Sequence, residues 1–271
     1  MTGCIAPEHE LKLLNHWLGT GPSTYPRRSG RRIKTIMSTA ITKDKRERAI
    51  LESAEGFTLD VIPLVRATIP ITGTAPLIAH RFSEKAKLEI INRQNGVKKV
   101  GKEPRIPEEE FEAAKHIMTD PAHNGQDGFP VVAFKAATVG ALRQYSVSVK
   151  DMSMVALRGL MYFKAYGSEQ LVPISYSDCI MREDYVSVGQ GKDIRFRPQY
   201  NDWSTSLVID FNVNRLNPQT VVSLVNAGGN GGVGEWRPEK NASGMYGTYE
   251  VDQDTGVTLQ VIDPLTKEPV A

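Results

Sequence analysis

The stretch that decides the fold is Gly228-Gly229-Asn230-Gly231-Gly232-Val233-Gly234-Glu235-Trp236-Arg237, which continues through Pro238 to Tyr249 and holds seven glycines between Gly228 and Gly247. Glycine loses more backbone freedom on folding than other residues, so this density indicates special backbone angles or the close approach of another group. We predict a helix before it, over Pro218 to Ala227 with Asn217 as cap, and a strand after it, to Val251. The glycines could present backbone N–H groups to a phosphate. A long loop without a ligand explains them equally well.

Size and composition indicate a packed domain. The chain has 271 residues, of which 40% are hydrophobic and 24% charged, as in ordinary globular proteins. No apolar run approaches the roughly 18 residues of a membrane span, and no segment has the pattern of a secretory signal. Cys4 and Cys179 are far apart in the sequence, which fits a reducing compartment and not a disulfide framework. We expect a cytoplasmic protein with no membrane partner.

Charge is distributed unevenly along the chain. Residues 1–36 carry six Lys or Arg against two Glu, whereas residues 37–271 carry 27 against 29 acidic residues. Gly, Pro, Ser and Arg dominate Gly19 to Gly30, so we predict a flexible basic arm over 1–36, with a short amphipathic helix at Pro7 to Leu18 as an option. A single domain is expected over 37–271. Because that domain is not basic overall, nucleic acid would have to bind in a local groove.

The hydrophobic pattern predicts six main elements. In chain order they are a strand (65–71), a helix (134–144, with 152–163), a strand (171–188), a strand (207–213), a helix (218–227) and a strand (245–251). The order β-α-β-β-α-β closes a four-stranded antiparallel sheet with two helices on one face, which is the ferredoxin-like arrangement. We therefore predict an α+β fold with this core. The open face of such a sheet often binds single-stranded RNA.

A charged insertion at about 82–128 interrupts the core. Arg81 to Arg105 contains eight Lys or Arg and three Glu, whereas Ile106 to Gly128 contains six acidic residues and Lys115. Pro107 can open a helix, and three glutamates follow it where the helix dipole favours negative charge. The block is either two solvated helices joined by a loop or a projection that contacts a neighbouring subunit or nucleic acid. Its candidate contact residues are Arg81, Lys85, Arg93, Lys98 and Lys99.

Three segments together resemble the RAMP proteins of CRISPR effector complexes, especially their backbone subunits. The early strand and small-residue turn, Ile69 to Leu77, is similar to one that the family carries. The segment Phe129-Pro130-Val131-Val132-Ala133-Phe134-Lys135 through Arg143 resembles the family's basic helix start, with a longer spacing from Lys to Arg. The glycine-rich stretch before the last strand is similar to the family's loop. The sequence also resembles proteins of tailed phages in its general style.

This resemblance implies a non-catalytic subunit that binds RNA or single-stranded DNA along its backbone and assembles side by side into a filament or multi-subunit complex. Lys135 and Arg143 match the family's basic helix positions, and Gly232, Gly234, Gly244 and Gly247 match its loop. Side chains that suit phosphates or stacking on bases complete the candidate set. They are Arg158, Arg195, Arg197, Trp236, Arg237 and Tyr246, with Tyr249 beside them.

Enzymatic function has little support in the sequence. No nucleophile elbow, P-loop or dinucleotide fingerprint occurs, and no cofactor or metal is expected. His116, His123 and Asp120 do not have the spacing of a standard metal site. His80 is a weak candidate for a general base in metal-independent RNA cleavage, because some RAMP nucleases use a histidine in that role. Two alternatives therefore stay open: a ribonuclease, and a phage structural or assembly protein that makes protein contacts only.

Overall fold

A computed structural model describes residues 62–82, 84–97, 104–144, 152–188, 191–240, 244–263, 266 and 268–270. The predicted arm over 1–36 lies outside the described residues, as do Lys98, Lys99 and the side chain of Lys85. The described strands, in chain order, are β1 Leu64–Gly73, β2 Leu77–Ile78, β3 Gly128–Pro130, β4 Met161–Phe163, β5 Leu171–Pro173, β6 Asp178–Val188, β7 Gly191–Asn201, β8 Ser204–Asn212, β9 Tyr249–Val251 and β10 Thr258–Ile262.

Helices alternate with these strands. They are α1 Glu84–Gln94, α2 Pro107–Ala113, α3 Val131–Gly140, α4 Met154–Leu160 and α5 Pro218–Gly231, with a 3-10 turn at Ala141–Gln144. Every strand pairing among the three described sheets is antiparallel, so the predicted α+β class is confirmed. Among the described helices, none has the length and hydropathy that a membrane span requires.

Strand β1 organises the principal sheet, whose order is β10-β1-β8-β4 with β9 also on β1. Its residues Leu64 to Thr72 pair with β8, while β10 and β9 share its other edge. The alternation of apolar residues in β8 directs Leu207, Ile209 and Phe211 into the core, where all three are fully buried. The strand predicted over 207–213 is thus present as β8, which ends at Asn212.

The strand next to β8 is not the predicted one. Residues 171–188 were expected in the principal sheet, but β4 holds that place, with Met161 opposite Phe211 and Phe163 opposite Ile209. The predicted helix over 152–163 therefore ends at Leu160 and passes directly into β4. An apolar run this short has no clear period, so only pairing with β8, which buries Met161 completely, decides that it is a strand.

Residues 171–188 contribute to two smaller sheets instead. Strand β5 pairs with β3, and β6 forms a long hairpin with β7. In this hairpin Asp178 pairs with Asn201 at the open end, and Val188 pairs with Gly191 at the turn. Strand β2 adds to the other edge of β7. Within the predicted insertion, α2 lies beside this hairpin, and Arg105 joins Glu110, Asp193 and the carbonyl of Ile194 at 2.6–2.8 Å.

Local signals place the helix starts correctly. Asn217 caps α5 by accepting a hydrogen bond from the N–H of Gln219 at 2.8 Å, and Pro218 follows at the first helical position. Helix α2 begins at Pro107 with three glutamates in its first turn. In both cases the residues that favour the helix start lie within one turn of it, which explains why the sequence predicts these starts.

Helix α5 is longer than predicted, because it continues from Ala227 through Gly231. A Cβ atom on Gly228 would lie 2.9 Å from the backbone carbon of Ala137 in α3, and one on Gly229 would lie 1.7 Å from the carbonyl oxygen of Tyr249 in β9. These glycines therefore allow α5 to approach both elements. Tyr249 itself is 2% exposed and packs against Phe134 and Trp203, so it is a core residue and not the stacking platform expected for it.

Candidate nucleic-acid interface

A basic groove lies where α3, the 3-10 turn, α4 and the segment after α5 meet. Its volume is about 580 Å³. The charged residues that line it are Lys135, Arg143, Arg158, Arg237, Lys240 and Glu239. The apolar and small residues are Val132, Ala136, Val139, Gly140 and Met154. Among the described residues that line the groove, five cations and one carboxylate give a local excess of positive charge, although the whole chain has a net charge of only +2. We call it the basic groove.

Helical spacing explains one wall of the basic groove. One face of α3 lines the groove, with residues at three- and four-residue intervals: Val132, Ala136, Val139 and Gly140. The 3-10 turn continues that face to Arg143. Lys135 borders the same face, and Arg158 comes from α4. Four of the residues predicted from the sequence, namely Lys135, Arg143, Arg158 and Arg237, thus line one groove.

The cationic groups differ in their partners. Lys135, Arg143 and Arg158 make no side-chain hydrogen bond or ion pair with any described residue. In contrast, Arg237 donates to the carbonyl of Gly234 at 2.8 Å, and Lys240 lies 3.0 Å from Glu235. Three cations in the basic groove are therefore free to neutralise an anion without first breaking a contact in the described part of the chain.

A buried carboxylate, Asp184 of β6, holds the segment after α5 against the β6–β7 hairpin. It accepts hydrogen bonds from Arg182 at 2.6 Å, from the indole N–H of Trp236 at 3.0 Å and from Arg197 at 3.1 Å. Arg182 also donates to the hydroxyl of Tyr246 at 2.7 Å and stacks over its ring. Burial raises the pKa of Asp184, but the three hydrogen bonds outweigh this effect and hold the pKa below its usual value. We call these five residues the Asp184 cluster.

Three predicted contact residues therefore belong to the Asp184 cluster rather than to the basic groove. Arg197 is buried, and the side chains of Trp236 and Tyr246 are directed to Asp184 and Arg182. Arg195 lies beside Asp193 at 2.9 Å on the same hairpin. The structure gives all four a contact within the chain, and the sequence offers no signal for the arrangement because Asp184 and Trp236 are 52 residues apart.

The glycines after α5 serve close packing of the chain on itself. A Cβ on Gly234 would lie 2.5 Å from the carbonyl oxygen of Ile78, one on Gly244 2.1 Å from that of Trp236, and one on Gly247 1.8 Å from that of Val233. The N–H of Gly232 bonds to carbonyls of α5, and the N–H of Gly247 to that of Pro76. These two N–H groups are thus already paired, so they do not form the phosphate cradle that their density suggested.

The outer face of the principal sheet is a poor platform for bases. Its centre holds Arg66, which binds Asp210 through two hydrogen bonds of 2.7 and 2.9 Å, with Lys164 at 3.3 Å. Burial opposes ionisation of Asp210, but Arg66 and Lys164 lower its pKa below the usual value. Tyr162 of β4 is an exposed aromatic residue here, but β1 and β8 present Thr68 and Ser206 where stacking aromatics would lie. The basic groove is therefore the better candidate interface.

The histidines considered from the sequence lie outside the basic groove. His80 is half-buried, its Nδ1 has no hydrogen-bond partner among the described residues, and burial, followed by Arg197 and Arg195, lowers its pKa. The Nδ1 atom of His116 lies 3.4 Å from the carboxylate of Glu169, and this carboxylate also forms an ion pair with Arg81 at 2.6 Å. His123 faces Gln126 at 3.2 Å. Arg81, a predicted insertion contact, is thus engaged within the chain.

Two of the charged residues that line the basic groove were not predicted from the sequence. Glu239 and Lys240 follow Arg237 by two and three positions, but nothing in their own neighbourhood distinguishes them from a solvated charged turn. Only the return of this segment to α3 and to the end of α5, where the N–H of Glu239 bonds to the carbonyl of Gly231 at 3.2 Å, brings them to the groove. The other predicted insertion contact that the structure describes, Arg93, lies near the end of α1.

Comparison with solved structures gives a weak likeness of fold. No family model matches the chain, and no curated protein matches it. A chain of a solved structure described as the Type III-B Cmr-beta complex bound to cognate target RNA is similar, with a TM-score of 0.42 and 9% sequence identity. The likeness covers 81% of this chain and 65% of that chain. This chain thus spans less than two thirds of the other chain's length.

Proposed function

We propose that this protein is a non-catalytic subunit that binds RNA or single-stranded DNA along its backbone, with the basic groove as the binding site. The observation that carries the proposal is the convergence of Lys135, Arg143 and Arg158, without side-chain partners in the described chain, on one groove. Phosphate groups are the natural partners of such cations, since neutralising them releases counterions.

The walls of the basic groove fit a strand better than a small anion. Val132 is exposed beside Lys135, and Ala136, Val139 and Met154 continue the apolar surface. A single strand carries phosphates on one side and flat, weakly polar bases on the other, so it matches a groove that is lined by both cations and apolar side chains. Neither the contact between cations and phosphates nor the contact between apolar side chains and base faces distinguishes one base from another. We therefore propose sequence-independent binding.

We further propose that the core is ferredoxin-like and related to the RAMP proteins. Strands β1, β4, β8 and the pair β9 and β10 occupy the sheet order that this arrangement requires, with α3 between β1 and β4 and α5 between β8 and β9. Assembly side by side would then align the basic grooves of successive copies along one strand.

Replacing Arg143 with glutamine is expected to weaken binding of a single strand about fivefold at roughly 0.1 M salt, because each released counterion contributes about 0.7 to the slope of log affinity against log salt. The measurement is fluorescence anisotropy of a labelled oligo-U of roughly 30 nucleotides at several salt concentrations. The slope should also become shallower by about 0.7.

Arg215→Gln is the matched control, because Arg215 is exposed and does not line the basic groove. It should leave both the affinity and the salt slope unchanged. Equal losses in the two variants would show that binding depends on net charge and not on the groove. Absence of binding by the unmodified protein even at low salt would remove the proposal.

A second candidate function is assembly through protein contacts alone. Helix α1 favours it, since Leu88, Ile90 and Ile91 are all exposed in a single copy, and an apolar surface of this kind commonly marks a contact with another protein. Gel filtration before and after nuclease treatment separates the two candidates. Particles that shrink with nuclease indicate assembly on nucleic acid, whereas a fixed oligomer indicates contacts between proteins.

A further inference from the structure

The described lining of the basic groove contains many hydrogen-bond donors and one side chain that only accepts. Lysine and arginine donate and never accept, whereas an ionised glutamate accepts and never donates. Among the described residues that line the groove, Glu239 is the single acceptor side chain. Phosphate oxygens can accept hydrogen bonds from the cations, but they have no donor to offer to this carboxylate. A ligand that suits the whole groove must therefore carry a donor beside its phosphates.

Glu239 is held at the groove by its surroundings. Its backbone N–H donates to the carbonyl of Gly231 at 3.2 Å. Its Oε1 would lie 3.2 Å from a Cβ on Gly140, and its Oε2 3.8 Å from one on Gly231. Two glycines, at the ends of α3 and α5, thus leave space for the carboxylate between the helices.

The neighbouring cations do not neutralise Glu239. Lys240 bonds to Glu235 at 3.0 and 3.1 Å, and Arg237 donates to the carbonyl of Gly234. Within the described residues, the carboxylate of Glu239 makes no hydrogen bond or ion pair. Its acceptor capacity is therefore available to a ligand.

A single strand offers two kinds of donor, the N–H groups of its bases and the 2′-hydroxyl of ribose. Base N–H groups differ from one nucleotide to the next, so they do not suit a groove that tracks the backbone. The 2′-hydroxyl recurs at every nucleotide of RNA and is absent from DNA. It also lies close to the phosphates that the cations would hold.

We propose that Glu239 selects RNA over DNA by accepting a hydrogen bond from a ribose 2′-hydroxyl in the basic groove. This inference rests on the proposed function and names the substrate class of the same site. With DNA, the carboxylate would face the strand without a donor and would repel its phosphates. Glu239 is thus a specificity-determining residue, favourable for RNA and unfavourable for DNA.

The test compares three strands of the same base, oligo-U, oligo-dU and 2′-O-methyl-oligo-U, by anisotropy at about 0.1 M salt. A hydrogen bond to a charged acceptor, lost with one strand and kept with the other, is expected to favour oligo-U about tenfold. The methylated strand should bind like oligo-dU, because its 2′-oxygen can no longer donate. In Glu239→Ala, oligo-dU should bind more tightly than to the unmodified protein, and the preference for oligo-U should fall to nearly one.

Glu109→Ala is the matched control, because Glu109 is an exposed glutamate of α2 outside the groove. It should keep the tenfold preference. Equal binding of oligo-U and oligo-dU by the unmodified protein, or an unchanged preference in Glu239→Ala, would overturn this inference and leave the proposed function intact. Absence of binding to all three strands would instead remove the proposed function, and this inference with it.

Discussion

Gly229→Ala is expected to destabilise the fold by about 3 kcal/mol, which is the upper part of the range for overpacking a close contact. The added Cβ would lie 1.7 Å from the carbonyl oxygen of Tyr249 and 2.7 Å from its carbonyl carbon. Both atoms belong to the backbone of β9, so no side-chain rotation can relieve the clash. Helix α5 would have to move away from β9, which opens the aromatic cluster around Tyr249. Urea unfolding followed by circular dichroism measures the loss.

Gly159→Ala provides the control for this substitution. Gly159 also lies in a helix, α4, but a Cβ there would meet no atom within 4 Å. Alanine is favoured over glycine in a helix by up to about 1 kcal/mol, so this variant should be neutral or slightly more stable. If Gly229→Ala were as stable as Gly159→Ala, the close approach of α5 to β9 would be wrong.

Asp184→Asn should lower the free energy of unfolding by about 3 kcal/mol at neutral pH, as expected when one partner of a buried ionic network is removed. Asp184 is 3% exposed, and Arg197, which it binds, is 6% exposed. Without the carboxylate, the guanidinium of Arg197 loses its short contact in the core, and its next acceptor, Glu235, lies 3.9 Å away. Asparagine keeps one acceptor oxygen and puts an NH2 donor in place of the other, so it cannot satisfy Arg182, Trp236 and Arg197 together.

The stabilisation by Asp184 is expected to depend on pH. Burial raises the pKa of Asp184, but its hydrogen bonds hold the pKa below the value of about 3.9 in the unfolded chain. The unfolded state therefore takes up a proton at a higher pH than the folded state does. The contribution is complete above about pH 5 and is lost as the pH falls through the pKa of the folded protein.

Urea unfolding of the unmodified protein and of Asp184→Asn, from neutral pH down to about pH 3, checks this expectation. The difference in free energy between them should narrow as the pH falls. Glu183→Gln is the control, because Glu183 is the exposed neighbour on β6, and a surface change of this kind is usually worth less than about 0.5 kcal/mol. A difference that stays constant with pH would contradict an ionised Asp184 in the cluster.

The sequence predicted the features that depend on neighbours along the chain. The cap at Asn217, the start of α2 at Pro107 and the alternation in β8 each involve groups within a few residues. Their physical causes, a side chain that satisfies a free N–H and an apolar face that must be buried, can be read directly from the order of residues. The α+β class follows from the same local patterns.

The sequence did not predict features that depend on pairing between distant segments. Residues 152–163 contain helix and strand in succession, and only the pairing of Met161 with Phe211 separates the two. The basic groove joins Lys135 to Lys240 across more than a hundred residues. Lys135, Arg143, Arg158 and Arg237 were predicted as contact residues, but the sequence did not show that they lie in one groove. Trp236 and Tyr246 were also predicted as contact residues, whereas the structure directs their side chains to Asp184 and Arg182.

By itself, then, the sequence determined the fold class, the main helix starts and the buried face of the central strands, because short-range hydrogen bonding and apolar periodicity act locally. Only the tertiary structure decided which strand borders β8, that the glycines after α5 serve close packing, and that Asp184 anchors the segment that carries Arg237. These outcomes depend on backbone contacts such as that of Gly229 with Tyr249. Such contacts exist only once segments far apart in the chain have come together.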